Sequence, residues 1–276
     1  MKSKIAELAL RKNKWKVENV DGMQLVFAPS LLDLGFVTHA FTTRVGGQTP
    51  APYDYFNLGG NIPGDEFKRD ARENRSRLCD GLSIKYSDLV VPGQVHSKNV
   101  ELINERSQIP DLKGVDGLVT NRSETPLLLH FADCVPVIIV DKVARVIGIF
   151  HAGWRGTAQN IVSHGVERMV SELNANPSNM VGVVGPAIGP CCYPTSDEVA
   201  QALSGTVKDA EGLIGTKGSQ PAPDIKAFNA LQLLESGIQE VDVSDYCTAC
   251  NPSMFYSHRQ SGGTTGRQGA LVSMRG

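Results

Sequence analysis

Three short, mostly apolar runs follow one another through the middle of the chain: TPLLLHFADC (125–134), VPVIIVD (135–141) and ARVIGIFH (144–151). Runs of this length, rich in Val and Ile and separated by turn signals, fit central strands buried on both faces. His130, Asp133 and Pro136 interrupt the stretch, so it falls short of the ~20 clean apolar residues that a membrane helix needs. The next segment, WRGTAQNIVSHGVERMVSELN (154–174), places Ile161, Val162, Val166, Met169, Val170 and Leu173 at helical spacing. It reads as one amphipathic helix launched from the strand that ends at His151. Strand and helix alternating in this way predict an α/β fold with mixed strand directions.

Either side of this centre the pattern continues. Strands are expected at VTHAFTTR (37–44), DLVVPGQVH (88–96), KNVELIN (98–104), VDGLVT (115–120) and MVGVVGPAI (180–188). Helices are expected at 65–78, 196–203 and 224–236, and loops at 43–64 and 204–224. No repeat and no Pro/Gly/Ser linker divides the 276 residues, so a single domain over 1–276 is expected, with 1–30 as an N-terminal helix and strand extension. The first residues, MKSKIAELALRKNKWK, lack an apolar signal core because Glu7, Arg11 and Lys12 interrupt it; a basic amphipathic helix and a cytoplasmic location are expected.

Composition then excludes whole classes. Hydrophobic residues at 41% and charged residues at 20% are ordinary globular usage, not that of a disordered, collagenous or coiled-coil chain. Lys+Arg 27 against Asp+Glu 29 gives a net charge of -2, which argues against nucleic acid as a partner. Six cysteines, at 79, 134, 191, 192, 247 and 250, without a signal peptide point to a reducing compartment. The thiols are then core residues, metal ligands or nucleophiles.

His96, Cys134 and His151 each open or close an apolar run: QVHS, ADCVP, FHAGWRG. Two imidazoles and a thiolate make a three-donor set for a borderline-soft divalent ion, with a fourth position left for water or substrate. Their spacing matches no short zinc motif, so three unrelated buried residues is the competing reading. In HAGWRGTAQN (151–160) small residues allow close backbone approach, and Arg155 at a helix start suits a phosphate. Arg44 in FTTRVGG is either an anion clamp or a solvated strand-end arginine, and Asp116 in GVDGLVT a site residue or an Asx turn. GPAIGPCCYPTSDEV (185–199) sets Cys191 and Cys192 in a rigid loop where one thiol could line a pocket. The lone CTAC (247–250) is half a zinc site with no second such pair in the chain. His258, Arg259 and Arg267 lie in a polar, Gly-rich tail that could close over a site or hang free in solvent. The H-x-E/P-C-x-x-C deaminase signature, H-E-x-x-H and H-x-H pairs are all absent.

FTTRVGG, GQVHS, VDGLVT, ADCVPV with HAGWRGT, and IGPCCY with the terminal CTAC…GRQGA resemble the YfiH-like family, also known as laccase-domain proteins or multicopper polyphenol oxidases. The likeness runs from about Phe36 to the C-terminus and is most specific over Ala132 to Thr157. It implies a single layered α/β sandwich with a mixed sheet, related to deamidating toxin domains. It also implies a zinc-dependent purine nucleoside phosphorylase acting on adenosine, inosine, guanosine and methylthioadenosine, with adenosine deaminase activity. The family's zinc ligands fall on His96, Cys134 and His151. Two stretches depart from the family pattern: Pro194-Thr195-Ser196 stands in place of a Glu-Val-Gly-like stretch, and Ser257-His258-Arg259 in place of Ser-Tyr-Arg. The resulting expectation is a monomeric or homodimeric enzyme, with no membrane partner, that takes a nucleoside and phosphate. His96, Cys134, His151 and Arg44 would be catalytic, and Arg44, Asp116, Arg155, Cys191 and His258 would bind substrate. The ion would be Zn2+, with Cu2+ as the alternative. The rival readings are a Cys134–His151 hydrolase of peptidoglycan precursors, a copper polyphenol oxidase, and a binding module without catalysis.

Overall fold

In the computed structural model, residues 15–60, 62–104 and 112–276 are described. The expected N-terminal helix lies outside them. The strands are β1 (Lys16–Val20), β2 (Met23–Phe27), β3 (Val37–Thr42), β4 (Val100–Leu102), β5 (Gly117–Thr120), β6 (Leu127–Phe131), β7 (Val135–Asp141), β8 (Val146–Ala152), β9 (Met180–Val184), β10 (Ile214–Lys217), β11 (Gln220–Pro223), β12 (Glu240–Val243) and β13 (Gln268–Met274). The helices are α1 (Pro29–Leu32), α2 (Asp65–Gly81), α3 (Trp154–Ala158), α4 (Ile161–Leu173), α5 (Asp197–Ser204) and α6 (Ile225–Glu235).

One sheet runs β1-β2-β3-β13-β6, antiparallel throughout. The other runs β12-β9-β7-β8-β5-β4, with β12 parallel to β9 and β4 parallel to β5. Side chains alternate across a strand, and the buried clusters follow that alternation. Val137 and Ile139 of β7 face α4 and α6, meeting Val166, Met169 and Phe228, while Ile138 and Val140 face the other sheet, meeting Val26, Leu129 and Ala270. The outer face of the five-stranded sheet (Leu25, Leu128, Leu271) is covered by Leu78 of α2. The layers are therefore helix, sheet, sheet, helices. Because both sheets are covered on both faces, β7 and β8 show no polar alternation, which is what the continuous apolar runs imply. Helix α4 approaches β8 so closely that a Cβ on Gly165 would collide with the Phe150 ring.

Several expectations are corrected. Residues 88–96 form no strand beyond single bridges at Val90 and Gly93. Pro92 has no N–H to give, and the amides of Val95, His96 and Ser97 are spent on the Asp116 carboxylate. The helix expected over 154–174 is broken at Asn160, whose φ of 55° is left-handed. The loop at 204–224 carries the β10–β11 hairpin. The tail after Cys247 ends not in a free loop but in β13, the strand between β3 and β6. No helix among the described residues is long and apolar enough to cross a membrane.

Candidate functional site

The β6–β7 turn presents Cys134. Asp133 in that turn is left-handed at φ 85°, held by the Thr248 hydroxyl (2.6 Å) and the Arg259 amide (2.7 Å) on its two carboxylate oxygens. Strand β8 presents His151 one residue before its end, and His96 stands on the loop before β4, itself left-handed at φ 63°. Their donor atoms lie within 4.8 Å of one another, and the two imidazole rings meet edge to face at 4.8 Å.

Asp116 organises this group from behind. It is fully buried. One oxygen accepts His151 Nδ1–H (2.8 Å) and the His96 amide (3.0 Å); the other accepts the Val95 amide (3.1 Å), the Ser97 amide (2.7 Å) and the Ser97 hydroxyl (2.8 Å). In the neutral imidazole this bond fixes the proton at Nδ1, so that Nε2 would serve as the lone-pair donor once a metal displaced its proton, the arrangement seen behind metal-ligating histidines. Burial alone would raise the Asp116 carboxyl, but the bonds from His151 and Ser97 hold it well below the usual range. Burial would also raise the Cys134 thiol, yet His151 and His96 outweigh it and bring the thiol down to about 6. His151, which burial would lower, is raised to about 9 by the Cys134 thiolate and by Asp116. Without a metal the pair is a thiolate and an imidazolium.

The donor set fits a zinc ion. Two imidazoles and one thiolate are the borderline-soft ligands it takes, and three protein donors beside an open cavity is the count of a catalytic rather than a structural site. Space is kept for it: a Cβ on Gly153 would come to 2.9 Å from Cys134 Sγ and 3.2 Å from the His96 ring.

These residues line a cavity of about 780 Å³, a volume in the range of small-molecule sites. Its wall carries Arg75, Arg155, Arg259 and Arg267, with His130, Tyr193 and His258. Arg75 donates to the Ala71 carbonyl, and Arg267 to those of Thr265 and Gly266; neither makes an ion pair among the described residues. Arg155 lies over the Trp154 ring at 4.2 Å, and Arg259 over Tyr193 at 4.9 Å. His130 is kept neutral by burial, its pKa near 3, and its Nε2 has no partner among the described residues.

The fold thus brings His96, Cys134, His151, Arg155 and His258 to one cavity, with Asp116 behind it. Arg44 and Cys191 are not on its wall. Arg44 is held by the Asp54 carboxylate (2.9 Å) and the carbonyls of Asp54 and Pro252, above the Tyr256 ring, so its guanidinium is occupied in bracing the 43–64 loop. Cys191 sits with three other cysteines instead. His130 and Arg75 were not singled out by the sequence. The signal for His130 was a lone imidazole in the apolar run TPLLLHF; Arg75 is one charge among many on α2 and carried none.

Residues 38–275 match the family described as multi-copper polyphenol oxidoreductase laccase. A protein named purine nucleoside phosphorylase YlmD, from Geobacillus stearothermophilus, is 37% identical over 245 residues, 85% of this chain and 89% of that protein. Human purine nucleoside phosphorylase LACC1 is 28% identical, covering 92% of this chain but 59% of its own length. The crystal structure of the Geobacillus YlmD superposes with a TM-score of 0.86 at 34% identity, over 94% of this chain and 98% of that one. That of Bacillus licheniformis YfiH also gives 0.86, at 31% identity, over 95% and 100%.

Proposed function

Because the chain belongs to the multi-copper polyphenol oxidoreductase laccase family, we propose that it is a purine nucleoside phosphorylase, with a zinc ion held by His96, Cys134 and His151. One observation carries the reading: a three-donor metal set and four arginines share one cavity. That cationic wall suits an anion, and inorganic phosphate, the second substrate of a phosphorylase, is bound by such guanidinium groups. The substrates are adenosine, inosine, guanosine and methylthioadenosine, and adenosine deamination is a side activity.

In this reaction a phosphate oxygen bonds to the anomeric carbon as the bond to purine N9 breaks. The electron pair leaves with the base, which takes up the proton that hydrogen phosphate gives up, and the products are free purine and ribose 1-phosphate, or 5-methylthioribose 1-phosphate from methylthioadenosine. The sugar passes through an oxocarbenium-like state, as in glycoside cleavage. Arg75, Arg155, Arg259 and Arg267 hold and orient phosphate against the sugar. Neutral His130 offers its unpartnered Nε2 to a polar group of the substrate. Tyr193 and Trp154, also on the wall, offer apolar surface to the purine. Asp116 keeps His151 in the tautomer that leaves Nε2 free. When bound, the zinc ion supplies Lewis-acid stabilisation of negative charge on the substrate. The test is chromatographic: inosine and adenosine are incubated with and without phosphate, before and after chelation. Phosphate-dependent release of free base, lost on chelation and restored by zinc, is the expected result; ammonia released from adenosine reads the side activity. Base release that ignores phosphate would reject the reading.

A second reading has an observation of its own. Cys134, His151 and Asp116 are also the thiolate, imidazolium and carboxylate of a Cys–His nucleophile, which would suit hydrolysis in peptidoglycan precursor editing. It predicts activity that survives chelation and is abolished by alkylation. A copper oxidase is less well served, because among the described residues no second histidine cluster accompanies this one.

A further inference from the structure

The four cysteines 191, 192, 247 and 250 come from two loops distant in sequence, and their sulfurs all lie within 4.8 Å of one another. Cys250 Sγ is 3.4 Å from both Cys191 Sγ and Cys192 Sγ. The vicinal Cys191–Cys192 thus stands beside CTAC, which in the sequence had no second such pair. We propose that Cys191, Cys192, Cys247 and Cys250 form a second, structural metal site that closes a tetrathiolate shell around one zinc ion.

Geometry, charge and position support it. In a tetrahedral site with Zn–S bonds of about 2.3 Å, the sulfurs stand about 3.8 Å apart, and the observed cluster brackets that spacing. The donors are all sulfur, which selects zinc-like ions over calcium or magnesium. Four thiolates leave two negative charges on a divalent ion, and the surroundings answer them. The Gly189 amide donates to Cys247 Sγ at 3.2 Å. The Lys217 ammonium reaches the Cys191 carbonyl at 2.6 Å, and Lys226, only 7% exposed, reaches the Ser244 and Tyr246 carbonyls just before Cys247. Cys191 and Cys250 are exposed, so packing in a core does not account for them. Metal binding here releases the thiol protons to solvent, and four protein donors leave no position for substrate.

The site would act as a staple. Its first loop follows Ile188 and leads into Tyr193, both on the cavity wall. Its second holds Thr248, whose hydroxyl fixes Asp133 beside Cys134. The bridge Ala187–Cys247 already brings the two loops together. A metal at the four sulfurs would lock one side of the cavity without touching the reaction. This proposal is independent of the phosphorylase reading.

The test is elemental analysis of protein purified under reducing conditions, wild type beside Cys250→Ser and Cys191→Ser. The wild type is expected to carry one zinc equivalent more than either variant, with the zinc at His96, Cys134 and His151 retained in all three. A readout on the wild type alone guards against a variant that fails to fold. Alkylation of Cys191 and Cys250, followed by peptide mass analysis, should be slowed by more than an order of magnitude when zinc is present. Equal alkylation with and without zinc, or recovery of Cys250 in a disulfide with Cys191 or Cys192 from metal-replete reduced protein, would overturn the proposal.

Discussion

Replacing Asp116 by Asn changes one atom's chemistry and cannot satisfy the site in either orientation. The carboxylate accepts five hydrogen bonds, two on one oxygen and three on the other. If the new amide oxygen keeps His151 and the His96 amide, the NH2 faces the Val95 and Ser97 amides, donor against donor. Two part-buried N–H groups then lose their partner, at roughly 0.5–1.5 kcal/mol each. If the amide flips, its NH2 faces His151 Nδ1, which must become an acceptor; the imidazole proton then moves to Nε2, the atom needed for the metal. The expected outcome is a loss of about 1–3 kcal/mol in unfolding free energy, together with zinc binding about 10–100-fold weaker. Urea unfolding of the metal-free protein reads the first effect, and competition with a chromogenic chelator reads the second. An Asp116→Asn protein with stability within about 0.5 kcal/mol of wild type and unchanged zinc affinity would refute this account of Asp116.

Gly153→Ala should leave the fold intact, since its φ of -67° suits any residue, while its methyl crowds Cys134 Sγ. Overpacking of about 1–3 kcal/mol would appear as zinc binding about ten- to a hundredfold weaker with an unchanged circular dichroism spectrum. Arg75→Gln should raise the KM for phosphate by roughly ten- to a hundredfold, the loss of one charge-assisted bond of about 1.5–3 kcal/mol. Arg44→Ala should instead lower the melting temperature and leave that KM unchanged; the opposite pattern would return the anion role to Arg44. His39, between Phe27 and Phe41, is held neutral with a pKa near 4, burial outweighing the bond that its Nε2 accepts from the Ala28 amide. The unfolded imidazole protonates first, near pH 6.5, so stability held above that pH is lost as pH falls from 6.5 towards 4. The loss totals about 3 kcal/mol. His39→Gln keeps an acceptor without the titration and should reduce the fall of urea midpoints between pH 7.5 and pH 5, leaving the share that buried His130 contributes; identical slopes in both proteins would contradict it.

What the sequence made legible was the middle of the molecule. The runs at 127–131, 135–141 and 146–152 are buried on both faces, so composition alone marks them as strands, and their ends carry Cys134 and His151. Residues 88–96 looked equally strand-like, but a side-chain carboxylate distant in sequence took their amides, and no local pattern records that. Strand β13 was hidden because QGALVSM follows a Gly-rich loop and its partners, β3 and β6, are far away in the chain. Arg44 and Arg75 show the same limit for a site. A strand-end arginine beside glycines fitted an anion clamp as well as a solvated side chain, while one arginine in a charged helix carried no signal. Which of them faces the cavity depends on tertiary placement. The four-cysteine cluster joins loops more than fifty residues apart, and only the fold makes it visible.

The central claim is that phosphate, not water, attacks the nucleoside in a cavity whose chemistry depends on the metal at His96, Cys134 and His151. Phosphorus-31 NMR of inosine and phosphate with metal-stripped protein, followed by zinc added to the same tube, tests it most directly. The account predicts no new phosphorus signal before zinc and a growing ribose 1-phosphate resonance after it, matched by free hypoxanthine. Hypoxanthine appearing with the phosphate signal unchanged, or ribose 1-phosphate forming equally well without metal, would contradict it.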